Sequence, residues 1–420
     1  MADTATFSAA MKTKFIGPIR DNIHKGKVLL FGDSDANPED FKGIIPSAEG
    51  IDFVGNEFRI PLKAARNAAV GFRFENETLP APGSASYTYI QEPMRYAYGL
   101  FNITGQLMKA SEQNEGAFRS AFKAEMEDLT LQAKIDHNRA AFGDGSGKFC
   151  AITNSPAAGA TTVNVDSTIY FRGGEVVDFV NAAGAVQSPA HTITGFNRTT
   201  LQLTFTPALV NGLTAATHFP VRASGDSSIA TPNNSQNREI QGLASIVSAT
   251  GVLHGLNPTS YPFWASQVFT NVGAINDTQL RISKDQIGFE AGVDLESGLD
   301  FALVTTRGIR RRYSDTLTSL KRFTDAESVK LHGGFTALMF DENPIFVDDQ
   351  CPVGNIYGLA LNLLFWSQLS DWEWMEGDGD VLKWEPRRDR YIAVLFKYSQ
   401  LGTTQRNAHF RMSGHPFAAF

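Results

Sequence analysis

The residues best placed to do chemistry lie at the end of an apolar run, Val28-Leu29-Leu30-Phe31-Gly32-Asp33-Ser34, where a strand would deliver a serine hydroxyl to a turn. Such a nucleophile needs a histidine base that is itself held by an acid. The same stretch, Asp33-x-Asp35-x-Asn37, opens like a calcium loop, but Pro38 and Ile44 stand at the sixth and twelfth positions, where Gly and Glu belong. Phe142-Gly-Asp-Gly-Ser-Gly-Lys148 imitates a phosphate loop. Phe142 replaces its first Gly, however, and Phe149 the magnesium-binding Ser or Thr, so a helix stop followed by a turn is the better reading. The 8 histidines are scattered with no His-x-x-x-His, and no metal or cofactor is expected. Cys150 and Cys351 form no Cys-x-x-Cys pair and are read as packed thiols made in a reducing compartment.

The Gly-Asp-Ser block resembles that of the GDSL esterases, which supply base and acid as Asp-x-x-His near the C-terminus. Here the residues three before His409 and His415 are Arg406 and Met412, and Asp21 to His24 lies upstream of Ser34. An esterase using Ser34 is therefore an alternative lacking its partners. The runs Arg310-Arg311-Arg312 and Arg387-Arg388 could hold phosphate, but in a chain of net charge −7 they are read as carboxylate partners across subunit contacts. Trp366, Trp372, Trp374 and Trp384 are read as core and interface, and Glu376, Asp378 and Asp380 as a solvated turn.

These groups must be positioned by a chain of 420 residues, enough for two or three folding units. Charged residues make up only 19% and Phe occurs 31 times, so burial against neighbouring subunits is expected. The acidic balance argues against coating nucleic acid. Neither a signal core nor a membrane span is expected, since the longest apolar stretch, Ile356 to Trp366, is interrupted by Asn362.

Residues 1 to about 58, broken by Gly17-Pro18, Asn37-Pro38 and Ile45-Pro46, read as an extended arm. Glu57 to Leu62 and Ser86 to Ile90 alternate like strands around a Gly- and Pro-rich stretch, which predicts a long hairpin, with another strand at Tyr96 to Thr104. Glu112 to Ala141 lacks Pro and repeats Phe118, Phe122, Met126, Leu129, Ala133 and Ala140 on one face. This predicts a helix of about 45 Å, stopped by Gly143, Gly145 and Gly147. Residues 150 to 225 turn to short Thr- and Val-rich strands with Gly and Asn turns, read as an inserted small β-barrel. Its expected core is Val163, Val165, Val177, Phe179, Ile193, Leu201, Leu203 and Phe205, and a polar connector, Ser224 to Arg238, follows. Farther on, helices are predicted at Asp277 to Glu296 and Arg307 to Leu320. Strands are predicted at Phe301 to Thr305, Ala337 to Phe340, Ile345 to Val347, Tyr391 to Tyr398 and Ala408 to Met412.

This order of parts resembles the tailed-bacteriophage major capsid proteins of the Hong Kong 97 type. VGFRFENETLPAPGSASYTYI (70–90) is similar to their extended loop, YAYGLFNITGQLMKAS and EGAFRSAFKAEMEDLTLQAKIDHNRAAFGDGSG to the strand and spine helix that follow, ALVTTRGIRRRYSDTL to the central strand and helix of the axial domain, and YIAVLFKYSQLGTTQRNAH to the closing peripheral strands. The resemblance covers nearly the whole chain. It implies an α+β fold of that type with the β-barrel inserted: an N-terminal arm (1–56), extended hairpin loop (57–92), peripheral strand and spine helix (93–149), inserted domain on the outer face (150–225), peripheral loop region (226–285), axial domain (286–375) and closing peripheral strands (376–420).

The implied function is structural and not enzymatic: pentamers and hexamers tiling an icosahedral virion shell, assembled in the host cytoplasm around double-stranded DNA that is not bound by sequence. Implied partners are further copies, a portal, and separate scaffolding, protease or decoration proteins. Lys63, Arg66, Phe72, Phe74, Tyr87, Tyr89, Arg310, Arg311, Arg312, Arg387 and Arg388 are the candidate inter-subunit contacts. Some members cross-link a hairpin Lys to a distant Asn with a Glu assisting. Lys63 lies in the hairpin, but no Asn or Glu can be matched, so cross-linking is not expected. Besides the esterase, the other competing class is a carbohydrate-binding or adhesin protein built on the inserted β-domain.

Overall fold

The computed structural model describes residues 45, 53–54, 57–111, 115–223, 234–270, 272–292, 301–320, 329–330, 336–341, 343–376, 381–386 and 388–416. Most of the expected N-terminal arm, with Ser34 and the calcium-like stretch, lies outside these residues, as do Arg387, Asp378 and Asp380.

Four sheets carry the strands of the described residues. In the first, β1 (Phe53–Val54), β2 (Glu57–Ala65) and β3 (Ser86–Pro93) pair antiparallel, with Ile60 opposite Ile90 and Lys63 opposite Tyr87. Only the base of the predicted hairpin is therefore sheet. Beyond it, the polypeptide from Arg66 to Ala85 runs out to a tight turn closed by Glu77 N donating to Phe74 O at 3.2 Å, with Asn76 left-handed at φ 67°.

The second sheet has β18 (Arg390–Thr403) at its centre. It pairs with β4 (Arg95–Thr104) on one side, and with β16 (Leu364–Trp374) and β17 (Lys383–Trp384) on the other. The short helix α1 (Gly105–Ser111) leads into the spine helix α2 (Glu115–Phe142), 28 residues or about 42 Å at 1.5 Å per residue. The expected stripe is half-buried at Met126, Leu129 and Ala133, and Leu129 sits over Gly99 of β4. The last turns differ from a one-sided stripe: His137, Asn138, Arg139, Ala140, Ala141 and Phe142 are all buried, because this end inserts into the main core. There Ala140, Ala141 and Phe142 pack with Ile90, Trp264, Tyr357, Trp366 and Leu401, as well as Leu243 and Ile246 of the one-turn helix α3 (Leu243–Ile246).

The inserted segment forms the third sheet, in the order β5 (Thr162–Asn164), β8 (Gln202–Thr206), β7 (Val186–Asn197), β6 (Val176–Asn181), β9 (His218–Arg222). Residues 148–153 bond to both edges: Phe149 N donates to Pro220 O beside β9, and Asp166 N and Thr153 N bond across to Ala151 and Asn164 beside β5. Phe149, Val163, Val165, Phe171, Val177, Phe179, Ile193, Leu203 and Phe205 share one core distinct from the others. Leu201 does not join it: it sits in a turn at φ 52° and is exposed.

The fourth sheet has seven strands in the order β10 (Gln267–Phe269), β19 (Phe410–Met412), β15 (Ile356–Ala360), β11 (Phe301–Thr305), β14 (Asn343–Val347), β13 (Thr336–Phe340), β12 (Val329–Lys330). β11 is buried along its whole length, as a short apolar run at a sheet centre must be. Helices α4 (Asp277–Ala291) and α5 (Arg307–Leu320) cover it through Leu280, Ile287, Ile309 and Tyr313. The Asn276 side chain caps α4 by accepting from Gln279 N at 2.8 Å, and Gly292 ends it in the left-handed region, earlier than the expected Glu296. Sheet membership divides the chain differently from the sequence in three places: β16 joins the spine-helix sheet, whereas β10 and β19 belong to the seven-stranded one. The predicted strand at Ala408 also begins later, because Arg406–Ala408 is a single 3₁₀ turn.

Candidate assembly surfaces

The hairpin arm leaves its apolar side chains uncovered. Phe72 is 101% exposed, and Val70, Phe74, Leu79, Tyr87 and Tyr89 are also exposed. Its polar groups turn inward on the loop: Asn67 Nδ2 donates to Gly83 O at 2.7 Å, and Arg73 donates to Thr78 O and Phe72 O. Lys63 and Arg66 are exposed along the same arm, and Arg59 lies over the Tyr89 ring, 5.5 Å from its centroid. Isolated apolar side chains are ordinary on a protein surface, but a run of this kind on a two-stranded arm is an exposed apolar patch, which a thin arm cannot bury on itself.

A second uncovered row lies on β4, where Tyr96, Tyr98 and Leu100 are exposed while Ala97 and Gly99 face the spine helix. The Tyr96 ring packs edge-on against Tyr398 at 5.0 Å between centroids, and the Tyr98 and Tyr398 hydroxyls are 3.3 Å apart. That hydrogen bond and partial burial raise Tyr98 to about 12. The candidate set above omits this row, although Tyr at alternate positions 96 and 98 is the signal that could have revealed it.

Beside the row, a cleft of about 400 Å³ opens between β4, the buried end of the spine helix and the chain leaving the inserted sheet. Its lining carries the guanidiniums of Arg95, Arg139, Arg222 and Arg238, and two carboxylates, Asp136 and Glu239. Glu239 accepts from Arg139 at 2.6 Å, and Asp136 pairs with Arg222 and, at 3.7 Å, with Arg139. Arg95 donates to a backbone carbonyl, Asn237 O, at 3.1 Å; its buried Nε has no partner among the described residues, and burial lowers its pKa.

The remaining candidates are not brought to one place. Arg310 and Arg311 are exposed on α5 and Arg312 is half-buried, whereas the neighbouring Arg307 grips Asp349 through two bonds of 2.6 and 2.9 Å. Arg388, near Glu385 at 3.9 Å, and exposed Trp384 belong to the far turn of the spine-helix sheet. Trp366 is buried, and Trp372 and Trp374 are half-buried. Both cysteines are buried free thiols whose pKa values burial pushes up. Among the described residues no group of His, Cys, Asp or Glu is arranged to hold a metal ion, and no helix is long and apolar enough to cross a membrane.

No protein-family model matches the sequence, and neither does any curated protein. Solved structures do match. A chain of the Cyanophage A-1(L) capsid asymmetric unit is 12% identical with a TM-score of 0.57, over 96% of this chain and 97% of that one. Mycobacterium phage Ogopogo gives 10% identity and a TM-score of 0.45 over 98% and 99%, and the capsid of Myoviridae phage XM1 gives 10% and 0.42 over 95% and 99%. The likeness to the cyanophage chain spans nearly the whole of both chains, and with it the chain has the tailed-phage major capsid protein fold.

Proposed function

We propose that the chain is the major capsid protein of a tailed double-stranded DNA bacteriophage, assembling as pentamers and hexamers into an icosahedral head. The observation that carries this reading is the hairpin arm: on a chain with a capsid fold, Val70, Phe72, Phe74 and Leu79 stand uncovered together around its tip. A second copy is the surface that would cover them. The net charge of −7 suits a shell that encloses DNA without gripping it. On this reading the protein is structural, not an enzyme. It resides in the virion after assembly in the host cytoplasm, its inserted sheet projects from the outer face, and it works with a portal and with separate scaffolding, protease or decoration proteins.

Electron microscopy of the purified protein tests this directly, shells or capsomers being the expected result. Deleting Ala64 to Ala85 removes the uncovered arm while leaving the cores intact, and should abolish shells with the subunit still folded. Normal particles from that deletion would remove the basis of the reading.

A further inference from the structure

Two of the four guanidiniums in the cleft beside β4 are fixed by one buried ring. The centroid of Phe149 lies 4.3 Å from the Arg139 guanidinium carbon and 5.4 Å from that of Arg222, so both planar cations pack against the same aromatic. The carboxylates of the cleft are already spent on these two: Glu239 on Arg139, and Asp136 on Arg222 and Arg139. Arg95, from β4, has no such acid. It donates to Asn237 O, while its buried Nε has no partner among the described residues. His137, also in the lining, adds no charge, because burial and nearby Lys397 hold its pKa well below the ordinary value. With exposed Arg238, four guanidiniums stand against two carboxylates, an excess of two positive charges in a concave space.

A guanidinium partly withdrawn from water is costly until an anion meets it. The kind of anion follows from where the arginines come from. Arg95 belongs to β4, Arg139 to the spine helix, Arg222 to the end of β9 and Arg238 to the chain beyond it, so they surround the cleft from four parts of the fold. A tetrahedral oxyanion presents oxygens in several directions at once, whereas the two oxygens of a carboxylate lie in one plane. At about 400 Å³ the cleft also has room for an organic group on that anion, with Tyr96, Tyr98 and Trp372 as apolar faces for it.

We propose that the cleft is a phosphate-binding site, in which Arg95 supplies the uncommitted Nε and Arg222 and Arg238 the surrounding charge. The ligand class is phosphate, free or as a small organic ester. The site is formed within one chain and stands apart from the reading of the hairpin. A bound phosphate ties β4, the spine helix and the chain leaving the inserted sheet to one another, and so stabilises their junction.

Titration of the full chain with inorganic phosphate at constant ionic strength, with chloride as the reference, tests this. Calorimetry should show saturable binding, accompanied by a rise in the unfolding midpoint that chloride does not give. Arg95→Gln should weaken the affinity about tenfold or more, and Arg95→Lys, which keeps the charge but loses the planar fork, should fall between. Arg310→Gln, exposed on α5 and outside the cleft, should bind like the wild type. Asp136→Asn removes a competing carboxylate and should tighten binding severalfold, a gain that a purely structural role for these arginines would not produce. Competition identifies the source: displacement of phosphate by adenosine monophosphate but not by a short DNA duplex is expected in a chain of net charge −7, and displacement by the duplex as well would place the phosphate in the packaged genome. An absence of saturable binding, binding that chloride matches, or equal affinity in the wild type and folded Arg95→Gln would each overturn the assignment. Should Arg95→Gln not fold, the opposite responses of Arg95→Lys and Asp136→Asn decide it, and a loss of affinity in both would sink it.

Discussion

Glu92 on β3 accepts a hydrogen bond from Ser367 Oγ on β16 at 2.6 Å, which ties the base of the hairpin to the spine-helix sheet through a fully buried carboxyl. Its other oxygen has no partner among the described residues, and burial raises the group to about 7 from 4.5. A carboxyl whose folded pKa is raised stabilises the fold fully below its unfolded value and loses that contribution as pH rises to the folded one. Between pH 4.5 and 7 the loss should reach about 3 kcal/mol. Glu92→Gln keeps the shape and removes the titration, so urea unfolding of the two proteins across this range should show the wild type losing stability relative to the variant. Parallel pH profiles would contradict a buried, unpaired carboxyl at this joint.

Arg406 is a second buried charge with a different solution. Its five N–H groups donate to the carbonyls of Ser245, Ile246, Thr250, Gly251 and Trp264 at 2.7–3.1 Å, with no carboxylate among these partners, and burial lowers it to about 10, still charged at neutral pH. Lysine has three donors and no planar fork, so Arg406→Lys leaves carbonyls unsatisfied, at ~1–3 kcal/mol each. A loss of at least ~3 kcal/mol is expected in chemical denaturation.

Gly358 on β15 lies opposite Phe410 on β19, and a Cβ there would fall 2.2 Å from the Phe410 ring. Gly358→Ala should therefore destabilise by ~1–3 kcal/mol through overpacking. Adding Phe410→Leu should cost less than the sum of the two single changes, and strict additivity in a double-mutant cycle would show that the ring moves aside freely.

The inserted sheet carries its own core, and residues 148–153 join both of its edges. Residues 147–223 expressed alone should unfold cooperatively with a β-sheet spectrum, although so small a unit is only marginally stable. Phe179→Ala, at the centre of that core, should abolish the transition in the isolated segment and spare the cores around Phe142 and Phe301 in the whole chain. A segment without a cooperative transition would show that it depends on contacts such as Tyr170 Oη to Gln350 O.

The elements legible in the sequence are those with an unbroken local pattern. Phe301 to Thr305 is a pure apolar run and is the buried central strand; Arg307 to Leu320 is amphipathic and is a helix. Leu201 misled because hydropathy alone does not distinguish an inward strand residue from one in a left-handed turn. The cleft was not legible at all. Arg95, Asp136, Arg222 and Glu239 come from separate parts of the chain and meet only through tertiary packing. The hairpin's aromatics were legible as candidates because their exposure follows from a local fact, a two-stranded arm too thin to bury them.

The placement of β19 has a consequence for synthesis. Residues 410–412 lie between β10 and β15, parallel to the first and antiparallel to the second, so β10 reaches the seven-stranded sheet only through them. While the ribosome is still translating the preceding 140 or so residues, roughly 10–30 s at typical rates, β10 has no strand to join. The hairpin, some two hundred residues upstream of β10, has by then long emerged with its phenylalanines uncovered. A nascent chain thus displays the exposed phenylalanines of its hairpin well before its seven-stranded sheet is finished.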